Sequence, residues 1–170
     1  MTRMMMQRRT FVTSAAATLA APSLAFAQAQ QSEESQMTAT TLEHINPQGM
    51  HRSPVFSQGI IVPAGMRTLI IGGQNGVDET GKVVSNDLAG QTAKAVDNLI
   101  RVLETAGGTL DDLVRVGLYI KGEGDITPGF NEWMKRAGGI KNPPTVSGIR
   151  VLGHANPDFL IEIEATAVLK

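Results

Sequence analysis

Two carboxylates near the C terminus are the side chains of this sequence best suited to chemistry. Glu162 and Glu164 alternate with Ile161 and Ile163 in a short, otherwise apolar run. Side chains of a strand point to opposite faces with a period of two, so this run predicts a strand with both carboxylates on one face. No lysine or arginine interrupts the pair. The shared face is therefore either a solvated surface or a site in which a carboxylate handles water and protons.

The sequence before this strand predicts further strands. Runs rich in β-branched residues cover 55–62 and 67–73, and Pro63-Ala64-Gly65-Met66 joins them. Two such runs with a short turn between them are typical of a β-hairpin. Another apolar run, 113–120, predicts a strand in the middle of the chain.

Two stretches predict helices. Between 87 and 106, Leu88, Ala95 and Leu99 recur at helical spacing, with Asn86 available as the N-cap and Gly107-Gly108 as a stop. A second helix begins at Thr127-Pro128 and ends at Gly138-Gly139.

The order of elements favours an α+β fold, a mixed sheet with both helices on one face. The other face would remain bare, which favours association of subunits through it.

The N terminus has the features of an export signal. Arg8-Arg9 directly precedes a small, apolar stretch at 11–21, and Ala25-Phe26-Ala27 is a cleavage pattern. We therefore expect 1–27 to be a twin-arginine signal peptide and the mature protein to be periplasmic or secreted. An ordinary secretory signal or an uncleaved anchor are the alternatives.

Length, charge and cysteine content limit the kinds of domain and partner that the rest of the chain can have. Residues 28–41 are polar and predict a flexible linker, and 42–170 have the size of one domain. Of 15 basic residues, Arg3, Arg8 and Arg9 lie in the signal, which leaves 12 against 16 acidic residues, a formal charge of −4. This acidic balance argues against a nucleic-acid partner. There is no cysteine, so disulfides and thiolate chemistry are excluded, and no later run is long enough to span a membrane.

Five short motifs, taken together, resemble one known family. They are Ile71-Gly72-Gly73-Gln74, Ala95-Val96-Asp97-Asn98-Leu99, Phe130-Asn131-Glu132, Asn142-Pro143-Pro144 and Ile161-Glu162-Ile163-Glu164-Ala165. In order and spacing, residues 53–170 resemble the RidA (YjgF) family of imine and enamine deaminases. The resemblance implies a chorismate-mutase-like fold and a homotrimer whose sheets pack face to face, with a small-molecule cleft at each subunit boundary. It also implies hydrolysis of 2-imino or 2-enamino acids without a metal or organic cofactor.

The resemblance assigns roles to particular residues. Glu162 matches the family's acidic residue and would position and activate water, and Asn131 matches an asparagine that bonds a polar ligand group. Gly72, Gly73, Ser147 and Gly148 would also line the substrate site.

Three positions depart from the family's pattern. Val146 stands where the family has the arginine that clamps a substrate carboxylate, Phe56 replaces a tyrosine, and Gly72 stands where a serine is frequent. Valine cannot make the bidentate pair of a guanidinium with a carboxylate. Arg150, four residues after Val146 on the same strand face, is a candidate substitute, and the alternative is a surface or intersubunit salt bridge. The departures favour an apolar or weakly polar ligand.

The remaining histidines and aromatic residues are not assigned a catalytic, ligand-stacking or metal-binding role. His154 is interpreted as a loop residue rather than a base, and Phe130 and Trp133 as core residues rather than ligand-stacking ones. His44 and His51 lack metal-ligand spacing, so no metal site is predicted. The expected function is an exported RidA-like hydrolytic deaminase. The alternative is a non-catalytic ligand-binding or protein-protective homologue, and the acidic charge makes a ribonuclease the least favoured role.

Overall fold

The computed structural model of the chain describes residues 41–170. The predicted signal peptide (1–27) and nearly all of the predicted linker (28–41) lie outside the described residues. The elements, in chain order, are β1 (Glu43–Ile45), β2 (Gly59–Ile61), β3 (Arg67–Asn75), α1 (Leu88–Thr105), a 3-10 turn (Leu110–Asp112), β4 (Leu113–Lys121), α2 (Thr127–Ala137), β5 (Thr145–Val151) and β6 (Ile161–Leu169).

The last strand of the chain lies inside the main sheet. The sheet has the order β3-β6-β4-β5, with β6 antiparallel to both of its neighbours and β4 parallel to β5. This is the mixed sheet that the sequence predicts. Because β6 is hydrogen-bonded on both sides, the carboxylates that it carries are held on a fixed backbone.

The predicted hairpin between 55–62 and 67–73 is wrong. The strand β2 pairs with β1 in a separate two-stranded ladder, Glu43 opposite Ile61, while β3 pairs with β6. Pro63, two residues after the end of β2, has no N–H to donate, whereas β6 offers β3 an antiparallel partner of its own length. The longer ladder therefore determines the partner of β3.

Both helices cover one face of the sheet, as predicted. Ile161, Ile163 and Ala165 of β6 are buried on that face together with Val116 of β4. Helix α1 contributes the buried side chains Ala95, Val96, Leu99 and Leu103 and packs on β3 and β6. The second helix packs mainly on α1, and this leaves space between α2 and the sheet.

The residues at the two ends of α1 explain where the helix begins and ends, and the predicted N-cap residue is corrected. The N-cap is Asp87 rather than the predicted Asn86, since Asp87 has extended backbone angles and its Oδ1 accepts from Gly90 N at 2.7 Å. At the other end Gly107 adopts φ 81°, a left-handed conformation that suits glycine, and Gly108 N donates to Leu103 O. The predicted glycine stop is confirmed.

The second face of the sheet, here called the open face, is covered by neither α1 nor α2. It carries Glu162 and Glu164 together with Arg115 and Tyr119 of β4, which lie opposite or beside them in register. Ile70 of β3 also belongs to this face and is 80 % exposed. Within 41–170, no helix is both long enough and apolar enough to cross a bilayer.

Candidate functional site

The two carboxylates of β6 share the open face, as their spacing predicts, but their surroundings differ. Glu164 Oε1 accepts hydrogen bonds from Tyr119 Oη at 2.9 Å and from Arg115 Nη1 at 3.0 Å. These two donors, the tyrosine first, hold the pKa of Glu164 below its usual value. In return, the bond to Glu164, aided by burial, raises the pKa of Tyr119. Glu164 is therefore engaged in a local network.

Glu162 has fewer partners and fits closely against the neighbouring strand. Its side chain lies over Gly73 of β3, where a Cβ would overlap Glu162 Oε1 and come within 2.7 Å of its Cγ. On the other side, Nδ1 of His154 lies 3.5 Å from Oε2. The Glu162 side chain is 37 % exposed. We call Glu162, Gly73 and His154 the acidic half-site. Gly72, also predicted to line the site, precedes Gly73 on β3, and a Cβ there would meet no atom of the described chain within 4 Å. The carboxylate of Glu162 is partly exposed and lies between its two neighbours.

A second group of predicted residues lines an apolar cavity on the opposite face of the sheet. The cavity lies between α2 and strands β4 and β5 and has a volume of about 100 Å³. Its lining includes Phe56, Val116, Leu118, Ile126, Phe130, Trp133 and Val146. Trp133 packs against the core, as predicted, whereas Phe130 is 47 % exposed. Among the described residues, no charged side chain lines the cavity, which therefore suits an apolar group.

Several bonds fix the walls of this cavity. Ser57 donates from its hydroxyl to Pro143 O at 2.7 Å and from its backbone to Pro144 O at 2.9 Å. These bonds hold the segment that carries Phe56 against the start of β5. On the other wall Arg136 Nε donates to Asp97 Oδ1 at 2.7 Å, which ties α2 to α1. The cavity is thus a defined feature of the folded chain.

The remaining predicted residues lie near the edge strand β5. Ser147 and Gly148 are exposed on β5, and Asn131 is exposed on α2, next to Phe130 of the cavity lining. Arg150 donates to Gly122 O at 2.8 Å and to Gly124 O at 2.7 Å, so its guanidinium fastens the loop before α2. In this conformation Arg150 is engaged with backbone carbonyls of its own chain.

The structure therefore separates the predicted site into two halves. Glu162 and Gly73 lie at the open face, whereas Phe56 and Val146 lie at the helix-covered face with the core residues Val116 and Ile161. A small ligand in the cavity of one chain is separated from Glu162 of that chain by the sheet itself.

Comparison with known proteins decides the family. A family model described as endoribonuclease L-PSP matches residues 50–169, more than half of the chain. The chain belongs to the RidA (YjgF) family. Curated relatives include a RutC family protein of Pyrococcus abyssi, 35% identical over 100 residues that cover 58% of this chain and 76% of the relative. Another, from Saccharolobus solfataricus, is 35% identical over 113 residues, which cover 66% and 85% respectively.

Solved structures of RidA-family proteins share the fold. A Rid-family protein of unknown function from Yersinia pestis is 34% identical with a TM-score of 0.67, over 75% of this chain and 98% of that one. The YjgF gene product of E. coli is 28% identical with a TM-score of 0.56, over 73% and 91%. The predicted RidA-like α+β fold is confirmed by these matches.

In this RidA-family chain, sequence reasoning misses several residues of the acidic half-site and its surroundings. The sequence identifies His154 only as a loop residue, and the contact that it makes with Glu162 is not visible from spacing. Arg115, Gly117 and Tyr119 alternate along β4, and this period-two pattern is a usable signal for the partners of Glu164. Within the described part of the chain, no group of three or more His, Asp or Glu residues is arranged to hold a metal ion.

Proposed function

We propose that this chain is an exported hydrolytic deaminase of small imines or enamines, acting at clefts between the subunits of a homotrimer. One observation carries the proposal. The two carboxylates on the open face are similarly exposed, Glu162 at 37 % and Glu164 at 34 %. Glu164 is engaged by Arg115 and Tyr119, whereas Glu162 has no bond to an arginine or lysine of the described chain. A partly exposed carboxylate without such a bond is available to handle a water molecule and its protons.

The proposed reaction adds water across a C=N bond. Glu162 accepts a proton from water while the water oxygen bonds to the imine carbon, and the proton is then delivered to the nitrogen. The resulting carbinolamine loses its hydroxyl proton to the same carboxylate as the C–N bond breaks. That proton passes to the departing nitrogen. The products are a carbonyl compound and ammonia, and Glu162 is restored to its ionised form.

The apolar cavity supports a substrate with an apolar substituent. Phe56 and Val146 offer no charged or hydrogen-bonding group, and neighbouring Arg150 is engaged by Gly122 O and Gly124 O. A substrate carboxylate placed in this cavity would lose its hydration without gaining a cationic partner. Uncharged imines with a short aliphatic or small aromatic group are the class that the lining favours.

Two chains are needed to bring the halves together. Glu162 and the cavity lie on opposite sides of the sheet, so a ligand touches both only where the open face of one subunit meets the cavity edge of another. Exposed Ile70 and Ile149 on the open face support packing of sheets against each other. Light scattering of the purified protein should give the mass of three chains, and Ile70→Lys should lower it. A monomer at assay concentration would contradict the trimer.

The activity is tested by ammonia release. An amine oxidase acting on isobutylamine supplies an uncharged imine, and an amino-acid oxidase acting on alanine supplies 2-iminopropionate. We expect acceleration with the uncharged imine that Glu162→Gln abolishes and that Glu164→Gln, the matched control on the same face, retains. No acceleration of either imine above buffer would overturn the deaminase proposal.

A binding role without catalysis is the second candidate, and the apolar cavity favours it. Trp133 is the only tryptophan and lines the cavity, so its fluorescence reports occupancy. Isobutyramide, an unreactive amide of similar shape, should quench or shift this emission in either case. Saturable binding without any ammonia release would move the assignment to a ligand-binding protein.

Export is proposed from Arg8-Arg9, the apolar stretch after them, and Ala25-Phe26-Ala27. Fractionation of cells that express the full chain should find the shortened protein outside the cytoplasm. Replacing both arginines with lysine should retain it inside. Equal export of this variant would show an ordinary secretory signal instead.

A further inference from the structure

His154 stands out as a buried polar side chain with an unexplained position. It lies in the loop between β5 and β6, and its side chain is 5 % exposed. Nδ1 faces Glu162 Oε2 at 3.5 Å, while Nε2 is buried with no hydrogen-bond partner in the part of the chain that the structure describes. Burying a ring nitrogen without a hydrogen-bond partner costs free energy, so the position of this ring calls for an explanation.

The loop that carries His154 is held firmly by the rest of the fold. Buried Gln91 of α1 donates to Asp158 O at 2.9 Å and accepts from Leu160 N at 2.8 Å. Lys121 of β4 donates to Pro157 O. These bonds fix the loop against both a helix and a strand, so the imidazole is presented to Glu162 by a supported backbone.

The other groups around Glu162 do not replace this contact. In register, Tyr119 of β4 and Asn75 of β3 lie opposite Glu162. Tyr119 bonds Glu164, and the amide of Asn75 donates to Ile161 O at 3.0 Å. Arg115, on the open face of β4, bonds Glu164 as well. Among the described residues, His154 is the one basic side chain within 4 Å of a carboxylate oxygen of Glu162.

We propose that His154 is a positioning residue that orients Glu162 for the reaction, an inference that rests on the proposed function of Glu162. Nδ1–H donates to Oε2 and holds the carboxylate in one rotamer. Oε1, on the Gly73 side, is left for water. At 3.5 Å the two atoms are in contact but not hydrogen-bonded in this structure, and such pairs commonly tighten when a ligand closes the site.

The geometry also selects one tautomer of His154. A proton on Nδ1 faces the Glu162 carboxylate, which can accept it in a hydrogen bond. A proton on Nε2 would be a buried donor without an acceptor among the described residues. The tautomer with its proton on Nδ1 satisfies the site best. In this tautomer the Nδ1 proton faces the Glu162 carboxylate, so His154 supports Glu162 rather than exchanging protons with the substrate.

The tautomer can be tested without any activity. The chain has three histidines, so ¹⁵N-labelled histidine gives three pairs of ring signals, with His44 and His51 as internal controls. We expect His154 to show a protonated Nδ1 and an unprotonated Nε2. Glu162→Met should remove this preference and leave the signals of the other two rings unchanged. A proton on Nε2, or no change in Glu162→Met, would overturn the proposal.

The kinetic test uses two substitutions of His154. In His154→Asn the amide can donate from nearly the position of Nδ1, whereas His154→Leu keeps the volume without a donor. For an uncharged imine we expect kcat to fall about tenfold or more in His154→Leu with KM almost unchanged, and to be largely restored in His154→Asn. Equal losses in both variants would indicate a merely structural role and would contradict the proposal.

The two tests separate failure of this inference from failure of the proposed function. If the wild-type chain releases no ammonia but the ¹⁵N signals behave as expected, the deaminase proposal fails and the His154–Glu162 contact stands. If ammonia release depends on Glu162 but not on the donor at position 154, the deaminase proposal stands and the positioning role is overturned.

Discussion

Glu162 occupies the space that a side chain at position 73 would need. A Cβ on Gly73 would overlap Glu162 Oε1 and lie 2.7 Å from its Cγ. Since Cγ is close to the backbone, a change at the far end of the glutamate does not relieve the overlap. The carboxylate and the glycine therefore form one unit across β3 and β6. Glu164 repeats this unit more loosely over Gly117 of β4, where a Cβ would lie 2.9 Å from the Cγ of Glu164.

Gly73→Ala should consequently force Glu162 into another rotamer. We expect ammonia release to fall by about 10- to 100-fold, because a displacement of about 1 Å in a catalytic group has effects of this size. Gly72→Ala is the matched control, since a Cβ there meets no atom of the described chain within 4 Å. Steady-state assays of both variants, with thermal melting to confirm folding, make the comparison. Equal activity of the two variants would refute the steric coupling.

Tyr119 is the only tyrosine of the chain and reports on the network around Glu164. Its pKa is raised by the hydrogen bond to Glu164, then by burial. Near-ultraviolet absorbance should therefore show tyrosinate forming above the usual pKa of about 10, and at lower pH in Glu164→Gln. Because the folded pKa is the higher one, the stabilisation is complete below the unfolded-state pKa and is lost as pH rises through the folded pKa.

Gln91 should be a larger determinant of stability than its position on a helix suggests. It is 1% exposed, donates to Ser85 O and Asp158 O, and accepts from Leu160 N. Gln91→Leu leaves these groups unpaired and should lower the free energy of unfolding by about 1–3 kcal/mol. Thr92→Val is the control, because the Thr92 hydroxyl bonds the Leu88 carbonyl of its own helix. Urea unfolding that affects both variants equally would contradict this assignment.

Val146→Arg should shift the substrate preference towards carboxylates. Val146 lies in the apolar lining on the exposed edge strand, from where a long side chain can keep its guanidinium near water. We expect activity with 2-iminopropionate to rise about tenfold, as one charge-assisted pair is gained, and activity with the uncharged imine to fall. Val146→Met, which keeps the lining apolar, should not gain the carboxylate substrate. A parallel gain in both variants would show that charge is not the cause.

The sequence predicts the local and periodic features of the fold well. The alternation of Glu162 with Ile161 and Ile163 correctly separates the two faces of β6, and the glycines after α1 correctly end that helix. The pairing partner of β3 cannot be predicted from the neighbouring sequence, because the nearby short strand β2 competes with the distant, longer strand β6. The capping by Asp87 instead of Asn86 depends on backbone angles that either residue can adopt.

The site is harder to predict for the same reason. The contact of His154 with Glu162 depends on a loop whose course is set by Gln91 and Lys121, far away in the sequence. Arg150 shares a strand face with Val146, yet its donors are used by Gly122 O and Gly124 O. Periodicity assigns a side chain to a face, but tertiary partners decide whether it remains available.

The placement of Glu162 and Val146 on opposite faces of the sheet makes the proposed cleft a shared property of two polypeptides. Two inactive variants, Glu162→Gln and a second one with a filled cavity such as Val146→Trp, would each damage a different side of every cleft. When the two are unfolded together and reassembled in equal amounts, about one cleft in four would combine two intact sides. Activity would then reappear from a mixture of inactive chains, as in complementation between two defective alleles of one gene.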